Sequence, residues 1–361
     1  MAPNIGFDFD DCLAQGYSLM PIILFLERLL IKELRLNPTT KDVKAILMRS
    51  KERFYEKLAE NEFQTKGTII RPSLLSILPK LLKLKKEGKI DSLFIYSNNS
   101  SIDLINVCDH ILALTLVKLG VPADHLVKDE GTNQLHTLMP RIHRDAPCRS
   151  SEQLEAGQFK GKSFQGVQTC LGRYIAESDL WFLDDTIDHK DLIEKLKSQY
   201  VETKKYEVIL KNNKLAEYIC TSFPKEAFNP TTPMGKIFMD AYHALERYFI
   251  ITPPGEQYIV KINPRFNPKG NEPETKLAEL LTRSLNAISP DAGGNRKAKW
   301  TSAESATDTN ILMKALEPVL IAKTSAKTYN TPKVLSTATA YREPIGGKRY
   351  GNKTRRKSKH D

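Results

Sequence analysis

Acidic side chains directly follow two apolar segments of the sequence, at the points where strands would end. Asp8 and Asp10 follow the first segment, Asp184 and Asp185 follow the last, and Ser97 follows an apolar segment between them. Carboxylates gathered at one site repel each other unless a cation lies among them. Oxygen ligands without His or Cys favour Mg²⁺, which also binds substrate phosphate. One carboxylate can attack phosphorus and a second can transfer protons, so these residues predict phosphoryl-transfer chemistry.

The elements that must position these residues alternate between strand and helix. Continuous apolar runs predict strands at residues 4–8, 92–96 and 180–183. Such runs are typical of a parallel sheet covered by helices on both faces, so the predicted fold class is α/β. The carboxyl ends of parallel strands meet at one crevice, which would bring the two acidic pairs and Ser97 together. Helical patterns separate the strands, at residues 17–36, 39–58, 72–88, 100–119, 164–176 and 234–249.

Three short motifs of the sequence resemble motifs of the haloacid dehalogenase (HAD) superfamily of phosphatases and phosphotransferases. Residues 4–13 (NIGFDFDDCL) look like the first motif, a strand followed by DxDx[TV]. Residues 94–99 (FIYSNN) look like the second motif, and residues 181–185 (WFLDD) look like the fourth. The resemblance covers roughly residues 4–195 and implies a Rossmann-like parallel sheet of the HAD type.

The resemblance also implies roles for the four aspartates. Asp8 would be the nucleophile and a metal ligand, and Asp10 would be the general acid and base, its backbone carbonyl also binding the metal. Asp184 and Asp185 would hold Mg²⁺. Cys12 stands where the family usually has Thr or Val, a substitution by another small residue. Asp10 is the acid that dehalogenases of the family lack, so the resemblance favours a phosphatase or phosphotransferase.

The resemblance also implies phosphate-binding residues, but more than one lysine fits its third motif. By the resemblance, Ser97 and Asn98 would bind the phosphoryl group, together with a lysine of the third motif. Lys160 and Lys162 both precede the helix that leads to the fourth motif, and we favour Lys162. Lys128 is an alternative in a less suitable place.

The pattern of the chain predicts four regions. Residues 1–13 and 67–250 would form the catalytic core, and residues 14–66 a small helical cap inserted between the first two motifs. In the family, insertions at this point close over the site and select the substrate, and a lid that excludes water suits a phosphoryl intermediate. Residues 251–330 would be an extended linker with one or two helices, and residues 331–361 a disordered basic tail.

Composition bounds the partners and the compartment. The 361 residues carry a formal charge of +11, of which +6 lies between positions 348 and 361. This segment is similar to basic C-termini of large DNA virus proteins. It suits electrostatic contact with nucleic acid, an anionic surface or a nuclear import receptor, and the alternative is a solvated end that only keeps the chain soluble. No apolar run is long enough to span a membrane. No basic segment precedes the most apolar stretch, so a secretory signal is not expected. The number of cysteines is odd and none forms a CxxC pair, which predicts free thiols and a reducing compartment. We therefore expect an intracellular location, in the cytoplasm or nucleus, including those of a virus-infected cell.

These observations leave functions of different classes open. The leading hypothesis is a Mg²⁺-dependent phosphatase that hydrolyses a phosphomonoester of unknown identity through an aspartyl-phosphate. The alternative is a non-catalytic scaffold or nucleic-acid-binding protein on a HAD-like core, which would use the basic tail to hold its partner. A narrower hypothesis joins the two, with a phosphatase that acts on nucleotides or nucleic-acid ends.

Overall fold

A five-stranded parallel sheet organises the chain, and the prediction of an α/β protein with a parallel sheet is confirmed. The computed structural model describes residues 2–16, 19–152, 161–208, 210, 212–250 and 299–321. The strands are β1 (Asn4–Phe7), β2 (Ser92–Tyr96), β3 (Leu126–Lys128), β4 (Leu135–Thr137), β5 (Arg141–Ile142), β6 (Leu180–Asp184) and β7 (Tyr200–Glu202). The order of strands in the parallel sheet is β5-β2-β1-β6-β7, and β3 and β4 form a separate antiparallel pair.

Helices connect the strands and cover the sheet. Most of them coincide with the helical patterns of the sequence, including the one that follows Pro233. The α-helices are α1 (Met20–Ile23), α2 (Ile31–Leu36), α3 (Lys41–Thr65), α4 (Pro72–Lys86), α5 (Ile102–Lys118), α6 (Phe164–Leu171), α7 (Lys190–Leu196), α8 (Asn212–Ser222), α9 (Pro233–Ile250), α10 (Ser302–Ala315) and α11 (Glu317–Ile321). A π-helical stretch (Leu24–Leu30) joins α1 to α2, and short 3-10 helices lie at Ala123–His125, Pro147–Glu152, Glu177–Asp179, Lys197–Gln199 and Lys225–Phe228.

The sheet separates two hydrophobic clusters because successive residues of a strand point to opposite faces. In β2, Leu93 and Ile95 belong to the larger cluster, which also contains residues of α3, α4 and α5. Phe94 and Tyr96 belong to the smaller cluster, with residues of α6 and α7. Helices therefore pack on both faces of the sheet. Strands buried in this way are apolar at every position, which explains why they appear as continuous runs in the sequence.

The segment predicted as a cap is helical and packs into the larger cluster. Leu47, Phe54 and Leu58 of α3 are fully buried in the same cluster as the strand residues. Helix α3 contacts α5, which follows β2 in the chain. Whether residues 14–66 act as a lid stays a prediction, as does the division of the chain into regions.

The smaller cluster is bordered by a disulfide. Cys148, on the 3-10 helix Pro147–Glu152, is bonded to Cys170 of α6, with their Cα atoms 4.9 Å apart. The expectation of free thiols is therefore wrong for these two cysteines. They are 22 residues apart in sequence. Cys12 and Cys108 are free thiols, as expected, and both are buried.

Part of the C-terminal region packs against the core. Helix α10 contacts α4, and its first turn has a capping box between Thr301 and Glu304. Asp308 of α10 is buried and accepts a hydrogen bond from Ser73 at the start of α4. This stretch falls in the predicted linker 251–330, whose residues 251–298 and 322–330 lie outside the described part of the chain. The predicted basic tail also lies outside it.

The described residues between α5 and α6 form short elements. Strands β3 and β4 pair here, and β5 adds two residues to the edge of the main sheet beside β2. Within the described part of the chain, no helix combines the length and the apolar character that crossing a membrane requires.

Candidate metal centre

The acidic pairs predicted from the sequence meet at the carboxyl edge of the sheet. Strands β1 and β6 are hydrogen-bonded in register, with Phe7 opposite Leu183. The Asp8 amide donates to the Leu183 carbonyl over 2.8 Å, so Asp8 lies beside the end of β6. Asp8, Asp184 and Asp185 each offer a carboxylate oxygen within 4.8 Å of the others. Three oxygen donors at this separation are suited to hold one metal ion.

Burial of these carboxylates disfavours their charged forms. Asp184 is fully buried, and Asp8 is 7 % exposed. Burial, together with the charge of Asp184, raises the pKa of Asp8, although Lys162 opposes the shift. Burial and the charges of Asp8 and Asp184 raise the pKa of Asp185 to about 7. These buried carboxylates therefore repel one another, and a bound cation would offset that repulsion together with Lys162.

Lys162 is the cation that the structure places among the acids. Its Nζ lies 2.6 Å from Asp8 Oδ1 and 2.7 Å from Asp184 Oδ2. Burial alone would lower the pKa of Lys162, but the two carboxylates outweigh it and raise the pKa above its usual value. Lys162 is thus an ammonium at neutral pH. Lys160 lies outside the described residues, and Lys128 is exposed on β3.

Asp10 lies beside this group and has a partner that the sequence analysis did not assign. Asn99 Nδ2 donates to both carboxylate oxygens of Asp10 over 3.1 Å. Burial and the charge of Asp8 raise the pKa of Asp10 to about 7, although the hydrogen bond from Asn99 opposes the shift. A carboxyl group with such a pKa can both donate and accept a proton near neutral pH.

The turn after β2 holds the other predicted phosphate-binding residues. Ser97 is fully buried, and its Oγ accepts the Asn99 amide over 2.9 Å. The Asn98 side chain accepts a hydrogen bond from Arg149 through its Oδ1, over 2.9 Å. Ser97 thus lies next to the site without facing its cavity, whereas Asn98 and Asn99 do face it. The assignment of phosphate binding to Ser97, Asn98 and Lys162 stays a prediction.

A solvent-open cavity of about 800 Å³ lies over the acids and the lysine. Its volume is well above that of a single phosphoryl group and leaves room for the rest of a substrate. Its described lining is mostly polar, and it consists of Asp8, Asp10, Asp11, Met20, Asn98, Asn99, Ser100, Ser101, Arg144, Gly161, Lys162, Asp185, Thr186, Asp188 and His189.

His189 is a residue of the site that sequence reasoning missed. Its Nδ1 accepts the Lys162 amide over 3.3 Å, and its Nε2 lies 3.5 Å from Asp184 Oδ2. Burial and the nearby ammonium of Lys162 lower the pKa of His189 to about 4, so the imidazole is neutral. A neutral ring that accepts at Nδ1 carries its proton on Nε2, toward Asp184. The signal in the sequence was its position, four residues after Asp185 and before α7.

Comparison of the chain with protein-family models, with curated proteins and with solved structures found no match. By its fold and site, the chain is an α/β protein with a Rossmann-like parallel sheet. Three of its acidic residues, at the carboxyl edge of the sheet, are placed to hold a metal ion.

Metal binding at this cluster should stabilise the fold. We expect Mg²⁺ to raise the melting temperature, since a ligand at 100 times its Kd stabilises by about 2.7 kcal/mol. Because metal ligation needs ionised carboxylates, the increase should be larger at pH 8 than at pH 6. Thermal unfolding with a titration of MgCl₂, and with a chelator, measures it.

The matched variants for this test are Asp185→Asn and Asp188→Asn. Both positions line the cavity, but only Asp185 belongs to the acidic group. We expect Asp185→Asn to remove most of the stabilisation by Mg²⁺ and Asp188→Asn to keep it. Equal responses of the two variants, or no response of the wild type to Mg²⁺, Mn²⁺ or Ca²⁺, would contradict the assignment of the metal ligands.

Proposed function

We propose that the protein is a Mg²⁺-dependent phosphatase of the HAD type that hydrolyses a phosphomonoester through an aspartyl-phosphate. The observation that carries the proposal is the contact of the Lys162 ammonium with both Asp8 and Asp184, beside Asp185. The arrangement places a carboxylate and an ammonium together in the lining of an open cavity. This supports phosphoryl transfer to a carboxylate, in which an anionic oxygen must approach an anionic phosphate and a fixed positive charge offsets their repulsion.

The reaction would proceed in two steps on the residues of this chain. In the first, an oxygen of Asp8 attacks phosphorus, and the bond from phosphorus to the ester oxygen breaks as Asp10 protonates that oxygen. In the second, Asp10 takes a proton from water while the water oxygen attacks phosphorus, which releases phosphate and restores Asp8. Bound Mg²⁺ would supply positive charge to the acidic group and to the phosphoryl oxygens.

The neighbouring residues would keep these two carboxylates in position. Asn99 holds the Asp10 carboxyl group through two hydrogen bonds, which fixes the proton donor relative to Asp8. Lys162 would contact the transferring phosphoryl group as well as Asp8 and offset the negative charge of both. His189 would orient the loop of Lys162 by accepting its amide.

The same features favour a catalyst over a scaffold. Carboxylates that are buried beside each other with raised pKa values oppose folding at neutral pH, because their charged forms lose hydration. A protein that only held a partner through its basic tail would gain nothing from them. Contact of that tail with nucleic acid, the identity of the substrate and the intracellular location stay predictions.

Hydrolysis of p-nitrophenyl phosphate, with Mg²⁺ and with excess chelator, tests the proposal. We expect turnover with Mg²⁺ and its loss in chelator, since the acidic group then lacks its cation. Because a lid can reject a small aryl ester, a panel of sugar phosphates, nucleotides and 5′-phosphorylated oligonucleotides accompanies it. Release of phosphate from none of these substrates, with protein that binds Mg²⁺, would refute the phosphatase activity.

A further inference from the structure

A buried ion pair lies next to the site, on the 3-10 helix Pro147–Glu152. Arg149 Nε is 2.7 Å from Glu152 Oε2, and the side chains are 0 % and 2 % exposed. Removing two charges from water costs free energy. A protein with apolar residues of similar volume in place of a buried ion pair is often at least as stable as the original. Stability alone therefore does not account for charged residues at these positions.

Arg149 binds the turn that follows β2. Its Nη1 donates to the Ser97 carbonyl, and its Nη2 donates to Asn98 Oδ1 over 2.9 Å. The guanidinium also lies over the ring of Tyr96, 4.2 Å from its centroid. The turn held in this way carries Asn99, the partner of Asp10. Arg149 thus fixes the backbone on which the proton donor of the proposed reaction depends.

Glu152 binds the loop that carries the lysine. Its Oε1 accepts the amide of Ser163 over 2.7 Å and the hydroxyl of Ser163 over 2.6 Å. The same oxygen accepts the Tyr96 hydroxyl over 2.6 Å. Gly166 packs against it so closely that a Cβ there would lie 2.0 Å from Oε1. Ser163 directly follows Lys162, so Glu152 fixes the backbone beside the ammonium.

The ion pair thus joins the two loops that border the reacting groups. One loop comes from the end of β2, the other precedes α6, and their sequence separation is large. Side chains that must contact one phosphoryl group need a fixed separation, and a displacement of about 1 Å can reduce a rate about 10²-fold. We propose that Arg149 and Glu152 are positioning residues that set the distance between the Asn98–Asn99 turn and Lys162, an inference that rests on the proposed phosphatase function.

Replacement of both charges by apolar residues separates positioning from stability. We expect Arg149→Met with Glu152→Leu to unfold at a lower temperature than the wild type, because the Ser97 carbonyl and the Ser163 amide lose their partners. The variant should still be folded at the assay temperature, because no lone charge is left buried. The same variant should lose about 10²-fold in kcat/KM for p-nitrophenyl phosphate, or for the best ester of the panel, and bind inorganic phosphate more weakly. Arg149→Met with Glu152→Gln, which keeps an acceptor oxygen for Ser163 and leaves no lone buried charge, should recover part of the activity.

A second ion pair, between the buried Lys51 and the half-buried Glu27, provides the control. Lys51 Nζ is 3.1 Å from Glu27 Oε1, and neither residue lines the described cavity. Lys51→Met with Glu27→Leu should keep kcat/KM near the wild-type value. A folded Arg149→Met, Glu152→Leu protein with wild-type kcat/KM would overturn the positioning role while leaving the phosphatase intact. Wild-type protein that neither hydrolyses the esters nor binds inorganic phosphate would instead overturn the proposed function, and this role with it.

Discussion

Asp8→Asn should abolish hydrolysis of p-nitrophenyl phosphate, with a loss of about 10⁴-fold or more in kcat. The amide of Asn has no anionic oxygen to attack phosphorus, while its size and shape match those of the carboxyl group. Lys162 keeps its contact with Asp184 over 2.7 Å, so the ammonium does not become an unpaired buried charge. Steady-state kinetics with Mg²⁺ at saturating ester measure the effect.

The same substitution should not reduce the stability of the metal-free fold. The pKa of Asp8 is raised in the folded state, so its ionised form opposes folding at pH values above the usual aspartate range. Because Asn removes that charge, we expect thermal unfolding of Asp8→Asn in chelator at pH 7 to occur at the wild-type temperature or above it. A dead enzyme with intact stability is the signature of a lost nucleophile, whereas loss through unfolding would lower both quantities.

A neighbouring carboxylate serves as the control. Asp11 also lines the cavity but is separate from the metal-binding group, and its φ of 54° is one that Asn adopts readily. We expect Asp11→Asn to retain most of the activity. The covalent intermediate adds a direct test, since acid-quenched wild type should carry a hydroxylamine-labile phosphoryl group that Asp8→Asn lacks. An Asp8→Asn protein as active as Asp11→Asn would exclude Asp8 as the nucleophile.

The acidic edge of the sheet could be predicted from the sequence because each part of it is local. Asp8 and Asp184 each end a continuous apolar run, and parallel strands align their carboxyl ends without further information. The inference did not require knowing that β1 and β6 are adjacent in the sheet. The lysine was predicted only through the resemblance of the motifs, which favoured Lys162 over Lys160, and the structure places Lys162 between Asp8 and Asp184.

Other features depend on contacts between distant residues. Strand β5 has only two residues and is defined by its pairing with β2, so no periodicity could reveal it. The bond between Cys148 and Cys170 depends on the path of the chain around α6. Asn99 and His189 are ordinary polar residues in sequence, and only the fold places them on Asp10 and Lys162.

The packing of helix α10 against the core could not be predicted from the sequence, for a related reason. Helix α10 buries Leu312 in the larger cluster, but its other buried residue is the polar Asp308, which accepts a hydrogen bond from Ser73 of α4. Its partners Arg71 and Ser73 are more than 200 positions away, and Trp300 packs against Tyr206 just before the helix begins. Polar and single aromatic contacts of this kind carry no periodic signal.

Asp10→Asn should separate proton transfer from attack on phosphorus. An Asn at this position retains the hydrogen-bonding partner Asn99 but cannot protonate the ester oxygen that leaves in the first step. General acid catalysis contributes about 10²–10⁴-fold, and its share grows as the leaving group becomes more basic. We therefore expect kcat/KM to fall about 10³-fold for an alkyl phosphate such as a sugar phosphate, and only about tenfold for p-nitrophenyl phosphate.

The comparison of the two esters makes this prediction specific to Asp10. Asp8→Asn should affect both esters alike, because the nucleophile is needed whatever group departs, and Asp11→Asn should affect neither strongly. Accumulation of phosphoryl-enzyme in Asp10→Asn with p-nitrophenyl phosphate is expected too, since the activation of water in the second step also needs this carboxylate. Equal losses for the alkyl and the aryl ester, without accumulation of phosphoryl-enzyme, would show that Asp10 organises the site but does not transfer the proton.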